Sequence, residues 1–398
     1  MKKGWQTKTV GDVCDVMNGG TPKTGVPEYW DGNHRWITPA EMGKRLSPYV
    51  SDTERKITDL GLRDSSARML PPNSVILSSR APIGHLVINT EPMGTNQGCK
   101  GLIPRSQIET KFLYYYLSSI VDLLNSLGTG ATFKELSGGK LKEVTVPVPP
   151  LAEQQRIVGL LDEAFEGLAT AKANAEKNLQ NARALLKSHL QSVFTQRGPG
   201  WVEKRIEEWC DSVMDCVNKT APVVEEPTPF KMIRTTNVRN GCVDVSTVRF
   251  VTEDTYKIWT RRQIPQKGDV ILTREAPMGE VGMLLTDDKV FLGQRLVSYR
   301  ANSAKLDNQF LLFALQSGDL QGQIHAKASG STVQHMRVPD TKNLLLAAPP
   351  LAKQRQVVEQ LMGLREETQR LARLYERKHA ALEALKKSLL HQAFSGEL

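Results

Sequence analysis

Residues 149–165 read PPLAEQQRIVGLLDEAF, and residues 349–365 read PPLAKQRQVVEQLMGLR. Laid together without a gap, they share Pro149/Pro349, Pro150/Pro350, Leu151/Leu351, Ala152/Ala352, Gln154/Gln354, Val158/Val358 and Leu161/Leu361. The register persists downstream through Leu185/Leu385, Lys187/Lys387, Ser188/Ser388, Leu190/Leu390 and Phe194/Phe394. Upstream, Gly4-Trp5, Lys8 and Cys14-Asp15 recur as Gly200-Trp201, Lys204 and Cys210-Asp211. The chain is a tandem repeat with a period of about 200 residues. Its order is globular domain, long helix, globular domain, long helix.

Both helices are read from apolar periodicity. In the first, Val158, Leu161, Phe165, Leu168, Ala175, Leu179, Ala182, Leu186 and Val193 follow 3-4 spacing, interrupted by Lys172 and His189. In the second, Leu361, Leu364, Leu371, Tyr375, Leu382, Leu385 and Leu389 do so, interrupted by Thr368 and Lys378. Narrow seams of this kind predict a partner helix. The Pro-Pro pair marks each start, and Gly198-Pro199 ends the first helix. The first helix leads out of domain one and the second begins where domain two ends, so pairing along their length requires them to be antiparallel. At 1.5 Å per residue, ~45 residues span up to roughly 68 Å. The expectation is a mixed α/β protein with two recognition-type domains at the ends of an antiparallel coiled coil, related by a pseudo-twofold. Its boundaries are 1–148, 149–196, 197–348 and 349–398.

The globular parts read as mixed α/β. Short β-like runs at 74–78, 85–88, 269–273 and 281–285 alternate with Pro/Gly turns, and 111–126 and 308–317 are helix candidates. Lys and Arg total 52 against 43 Asp and Glu, a net charge of +9 spread thinly along the chain. That balance suits a polyanion without proving one. The five cysteines form no CxxC pair, which points to reduced thiols and away from a zinc ribbon. The N-terminal segment has no apolar h-region, and no run approaches membrane-spanning length, so a cytoplasmic location is expected.

Catalytic signatures are missing. Gly138-Gly139-Lys140 lacks the remainder of a phosphate loop, and no dinucleotide fingerprint or HExxH occurs. Pro71-Pro72-Asn73 reverses the order of a base-flipping methyltransferase motif and reads as a turn. Pro339-Asp340 with Glu376-Arg377-Lys378 superficially matches a nuclease pattern, but its second part lies within a helix seam. Gly19-Gly20-Thr21-Pro22 reads as a turn before it reads as a phosphate cradle. No metal site and no catalytic residue are expected.

Recognition chemistry remains. Turn-rich segments in domain one offer Thr21, Lys23, Arg35, Arg63, Ser66, Arg68, Arg80, Asn96, Gln97, Lys100, Thr132 and Lys134. Domain two offers Arg234, Thr235, Asn237, Arg239, Arg274, Gln294, Arg295, Ser331 and Thr332. Arg suits guanine O6/N7, Asn and Gln suit adenine N6/N7, and Lys, Ser and Thr suit phosphates. Any one of these is more simply a solvated loop residue; only the group, repeated in two domains, points to DNA. Arg80-Ala81-Pro82-Ile83-Gly84 matches Arg274-Glu275-Ala276-Pro277-Met278-Gly279 with one insertion, placing Arg80 and Arg274 at corresponding turns.

GGTPKTGVPEYWDGNHRWITPAEM, GLRDSSARMLPPNSVILSSRAPIGHL, TNQGCKGLIP and VPVPPLAEQQRIV, in that order, resemble type I restriction–modification specificity subunits along essentially the whole chain. The resemblance implies a non-catalytic subunit with two target-recognition domains reading a bipartite double-stranded DNA target. It implies two methyltransferase partners, with restriction subunits in the full complex. S-adenosylmethionine would bind the methyltransferases, ATP and magnesium the restriction subunits, and none of them this chain. Domain two lacks the GGTP, EYW and TNQG signatures, which implies that it reads a different half-site. Two other classes stay open: a coiled-coil scaffold without sequence-specific DNA binding, and a fused methyltransferase or nuclease.

Overall fold

The computed structural model describes residues 4–80, 82–130, 134–330 and 334–398. The chain divides into two compact units, Met1–Ala175 with Arg377–Leu398, and Glu176–Glu376.

In the first unit, Gln6–Thr9 pairs antiparallel with Thr145–Val148, joining the start of the repeat to the strand that feeds the long helix. The main sheet has the order Cys14–Asn18, Cys99–Pro104, Val75–Ser79, Ile83–Asn89 and Tyr49–Val50. A second sheet of four strands is centred on Trp30–Ile37 and Met93–Thr95. The run at 111–126 is two helices, Thr110–Ser119 and Val121–Leu127. The break falls at Ile120, whose φ of −112° and ψ of 20° leave the helical region.

The second unit repeats the plan. Val202–Arg205 pairs with Leu345–Ala348. Its six-stranded sheet runs Cys210–Asp215, Leu296–Ala301, Val270–Arg274, Met278–Met283, Gly241–Val243 and Val238–Arg239. Asn308–Gln316 and Gly318–Ala326 are the paired helices here.

The long helices are Leu151–Thr195 and Leu351–Ser395. Each starts directly after its Pro-Pro pair: Pro150 O accepts from Glu153 N and Gln154 N, and Pro350 O from Lys353 N and Gln354 N. The repeated glutamine explains the motif. Gln154, fully buried, accepts from Glu109 N at 2.8 Å and donates to Gln107 O at 3.0 Å and Pro149 O at 2.8 Å. Gln354 accepts from Asp307 N at 2.9 Å and donates to Lys305 O at 2.9 Å and Pro349 O at 2.8 Å. Every buried amide group there is satisfied.

Within each unit the helices pack antiparallel. In the first, Arg156 reaches Leu398 O at 2.9 Å and Lys172 pairs with Glu383 at 2.7 Å, so one number falls as the other rises. In the second, Arg183 pairs with Glu376 at 2.8 Å, while Leu190 and Phe194 share a core with Val357 and Leu361. The repeated phenylalanine serves the same end in both. Phe394 lies edge-on to Phe112 and Tyr116, both at 5.2 Å, and Phe194 lies 5.3 Å from Phe310.

Leu161, Ala175, Ala182 and Leu361 are the buried seam residues. Val158, Phe165, Leu168, Leu179, Leu186, Leu364, Leu371, Tyr375, Leu382 and Leu389 are partly buried along the same faces. Leu385 is a correction: it is 47% exposed, as its repeat mate Leu185 is at 48%, so the shared leucine lies off the seam. Thr368 does not break the seam; it is buried, and its hydroxyl donates to Arg365 O.

Candidate nucleic-acid interface

In the first unit three loops meet beside the inner strands of the main sheet. Gly19 N donates to Cys99 O and Gly20 N to Thr95 O, which lays residues 19–22 against 95–98. A Cβ on Gly19 would stand 1.9 Å from Asn96 O, and one on Gly20 2.2 Å from the Ser66 carbonyl carbon. These glycines serve close backbone approach. Their amides are already used within the protein, so the pair is no phosphate cradle. Thr21 Oγ1 accepts from Asn96 Nδ2 at 3.1 Å and from Gln97 N at 3.3 Å. Gln97 itself is exposed.

Arg80 stands in the turn after Val75–Ser79 and forms an isolated bridge with Glu135. The Glu135 carboxylate is 3.8 Å from Arg80 Nη1 and 3.8 Å from Lys100 Nζ. The structure therefore brings together Thr21, Ser66, Arg80, Asn96, Gln97 and Lys100, with Lys134 exposed next to Glu135. Lys100 corrects its expected role, because it is only 5% exposed and faces Glu135. Thr132 lies outside the described residues.

Two other candidates are charge-compensated. Arg35 faces Asp52 at 3.4 Å, whose carboxyl is held below its usual range chiefly by the Thr53 backbone N–H, then by Lys56. Arg63 bonds Asp64 at 2.8 Å, which raises its own affinity for the proton and lowers that of Asp64. Lys23 and Arg68 are exposed.

In the second unit, residues 293–295 take the place of 96–98, with Gly293 N donating to Ile233 O as Asn96 N does to Ile37 O. Thr235 Oγ1 donates to Ala276 O at 3.0 Å, tying 235–237 to the turn at 275–277. Gln294 and Arg295 are exposed, and Arg295 adopts a φ of 72°. That left-handed conformation is strained for a non-glycine residue, a kind of strain that concentrates at functional positions. Arg295 Nη2 is 3.2 Å from Glu275.

Four expected contacts here are structural. Asn237 is buried, its Oδ1 accepting from Arg234 N and its Nδ2 donating to Thr247 Oγ1. Arg239 donates to Thr235 O and Val238 O, and Arg234 to Thr247 O. Arg274 turns inward and donates to Met336 O at 2.9 Å. Ser331 and Thr332 lie outside the described residues.

The ladder also corrects a correspondence. Ser79 N donates to Gly98 O as Arg274 N does to Arg295 O. Ser78 Oγ accepts from His85 N as Thr273 Oγ1 does from Glu280 N. Arg80 bridges Glu135 as Glu275 bridges His335. Arg80 therefore matches Glu275, and SRAPIG aligns with REAPMG without an insertion.

The carboxylates Glu135 and Glu275 escaped the sequence reading, as did Arg55, whose guanidinium lies 3.8 Å over the Trp30 ring. The nuclease-like pattern dissolves: Asp340 pairs with Arg337 at 2.9 Å and Glu376 with Arg183. Among the described residues no cluster of His, Cys, Asp or Glu could hold a metal, and no helix is long and apolar enough to cross a membrane.

Two mixed α/β units of one plan, each with a rim of arginines and amides suited to base edges and phosphates, define a tandem recognition protein. A family model described as type I restriction modification DNA specificity domain matches residues 2–179 and again 199–376, and the chain belongs to that family. The MjaIX specificity subunit of Methanocaldococcus jannaschii is 26% identical over 366 residues, 87% of this chain and 84% of that protein. The EcoR124I/EcoR124II specificity subunit of Escherichia coli is 34% identical over 163 residues, 39% of this chain and 40% of that one. The fold matches a chain solved in work on complex assembly and conformational transition of the type I R-M system, with TM-score 0.80, 20% identity and coverage of 100% and 99%. It also matches the HsdS subunit of Thermoanaerobacter tengcongensis, with TM-score 0.65, 20% identity and coverage of 100% and 98%.

Proposed function

We propose that this chain reads a bipartite DNA target, one half-site per unit, and holds two methyltransferase subunits on it, with restriction subunits joining for cleavage. The recurrence of one rim in both units carries this reading: the loop ending at Gly98 accepts from Ser79 N as the loop ending at Arg295 does from Arg274 N, and Gly19 N donates to Cys99 O as Cys216 N does to Leu296 O, so equivalent loops border the same turn of the same sheet. Residues 1–148 and 197–348 are the recognition modules, and 149–196 and 349–398 the spacer helices. The subunit itself does no chemistry. S-adenosylmethionine belongs to the methyltransferases, ATP and magnesium to the restriction subunits, and the complex works in the cytoplasm.

Because each unit has its own core, replacing 1–148 with another member's domain tests the reading. Mapping of methylated sites in cells carrying the hybrid complex should show one half-site changed and the other retained. Changes in both would mean that the domains read DNA jointly. A complex that binds all sequences alike would favour a scaffold.

A further inference from the structure

At one place in the fold the matching turn residues Arg80 and Glu275 each enter an arginine–carboxylate pair, with the charge at the turn reversed between the two units. In the first, the turn supplies the cation, Arg80, and the facing loop supplies the carboxylate, Glu135. In the second, the turn supplies the carboxylate, Glu275, and the cation is Arg295 on the neighbouring loop. Arg295 stands where the first unit has Gly98, whose absent Cβ would lie 3.2 Å from Arg80 Cγ. Gly98 and Arg295 thus stand at corresponding positions beside the turn that carries Arg80 in one unit and Glu275 in the other. Both pairs are part-exposed: the side chains are 39% and 44% accessible for Arg80 and Glu135, and 48% and 23% for Arg295 and Glu275.

A surface ion pair adds little to stability, so stability gives little reason for the arginine–carboxylate pairing, although Glu135 also faces the buried Lys100 at 3.8 Å. A carboxylate at a DNA-facing rim also carries a cost, since it repels phosphates. We propose that Glu135 and Glu275 are specificity-determining positioning residues: each holds its arginine off non-target DNA and yields it only to the target half-site. The inference rests on the DNA-reading function above.

The physical basis is competition. On a non-target duplex the arginine can gain one phosphate, but it must leave a carboxylate already in place, and that carboxylate then faces the phosphates unpaired. On the target, base contacts from the rest of the rim supply the difference. Discrimination arises from weakening the wrong complex more than the right one. The reversal between units supports this: the sequence position of the charge has moved, yet a carboxylate still meets the arginine.

The test uses the full chain assembled with its methyltransferase subunits. Binding to a duplex carrying the mapped target and to a scrambled duplex is measured across a salt series for wild type, Glu135→Gln, Glu135→Asp and Glu275→Gln. Both glutamine variants should bind the scrambled duplex ~5- to 10-fold more tightly, with a salt slope steeper by about one unit. Target affinity should change much less, so the specificity ratio falls, and Glu135→Asp should restore it. Gln is isosteric, and the backbone pairing of Thr129 with Glu135 is untouched. If Glu135→Gln nevertheless fails to assemble, Glu275→Gln decides on its own.

Unchanged ratio and slope in the variants, with a specific wild type, would overturn the proposal and leave the DNA reading intact. Selective loss of target affinity would overturn it too, making the carboxylate a direct base reader. A wild type that does not distinguish the duplexes would instead sink the DNA reading itself.

Discussion

Gln154→Leu removes an amide that touches three backbone groups while keeping the volume of the site nearly constant. Glu109 N loses its acceptor, and Gln107 O and Pro149 O lose a donor. A buried polar group left unsatisfied costs about 1–3 kcal/mol. The Glu109 amide bears the full penalty, whereas the carbonyls retain a second lone pair and part of their hydration. A total of ~3–5 kcal/mol follows, a large share of the 5–15 kcal/mol typical of a domain. Gln354→Leu should cost the second unit about the same through Asp307 N, Lys305 O and Pro349 O.

Urea denaturation measures this directly, with hydrogen exchange by mass spectrometry to report each unit, because two units need not unfold as one transition. With a slope of ~2 kcal/mol/M, the loss moves the midpoint of the affected unit by ~1.5–2.5 M. The exposed neighbour Gln155 is the control, and Gln155→Ala should shift stability by less than ~0.5 kcal/mol. Gln154→Glu refines the argument: it keeps the acceptor for Glu109 N but lacks both donors and buries a charge. It should therefore be more destabilising at neutral pH than at pH 4. If Gln154→Leu cost under ~0.5 kcal/mol, the repeated glutamine would not be what seats the helix on the domain.

Leu161→Ala and Leu361→Ala, both in buried seams, should each cost ~2–5 kcal/mol by denaturation, while Leu385→Ala should stay within ~0.5 kcal/mol. Glu383 has its pKa lowered from 4.5, chiefly by the hydrogen bond from Lys172. Its contribution is therefore present above the unfolded-state value and lost as pH falls through the folded one. Glu383→Gln should accordingly flatten the acid side of the stability–pH curve below ~4.5, read by thermal unfolding. Burial pushes the Cys14, Cys99 and Cys210 thiols up to about 12, whereas Cys242 is exposed. A thiol reagent on the native protein should label Cys242 first, and Cys242→Ser should remove the fast phase.

The helices were legible because a narrow apolar seam repeated in register is a long-range signal written locally. Its weak point was identity between repeats. Leu185 and Leu385 match, yet both face outward, because a shared residue marks a shared environment and not a buried one. Ile157 and Ala393, fully buried but outside the expected seams, were missed because the stripe drifts around a 3.6-residue helix as it passes from domain contact to helix contact.

The rim was legible as a group and misleading residue by residue. The identity of Arg80 and Arg274 invited an insertion that the strand register does not contain. Arginine at a strand end can point outward at the turn or back to a carbonyl, and Arg274 takes the second course, to Met336 O. Nothing local distinguishes the two. The deciding groups are far away in sequence: the partner of Arg80 lies on a loop reached only after two helices, and that of Arg295 on the turn preceding its own strand pair. Composition near a motif identifies the chemistry available to a rim. Which charges remain free for a ligand depends on the carboxylates that tertiary structure brings to them, so the free arginines of such a rim are identified by subtraction, after Glu135 and Glu275 have been placed.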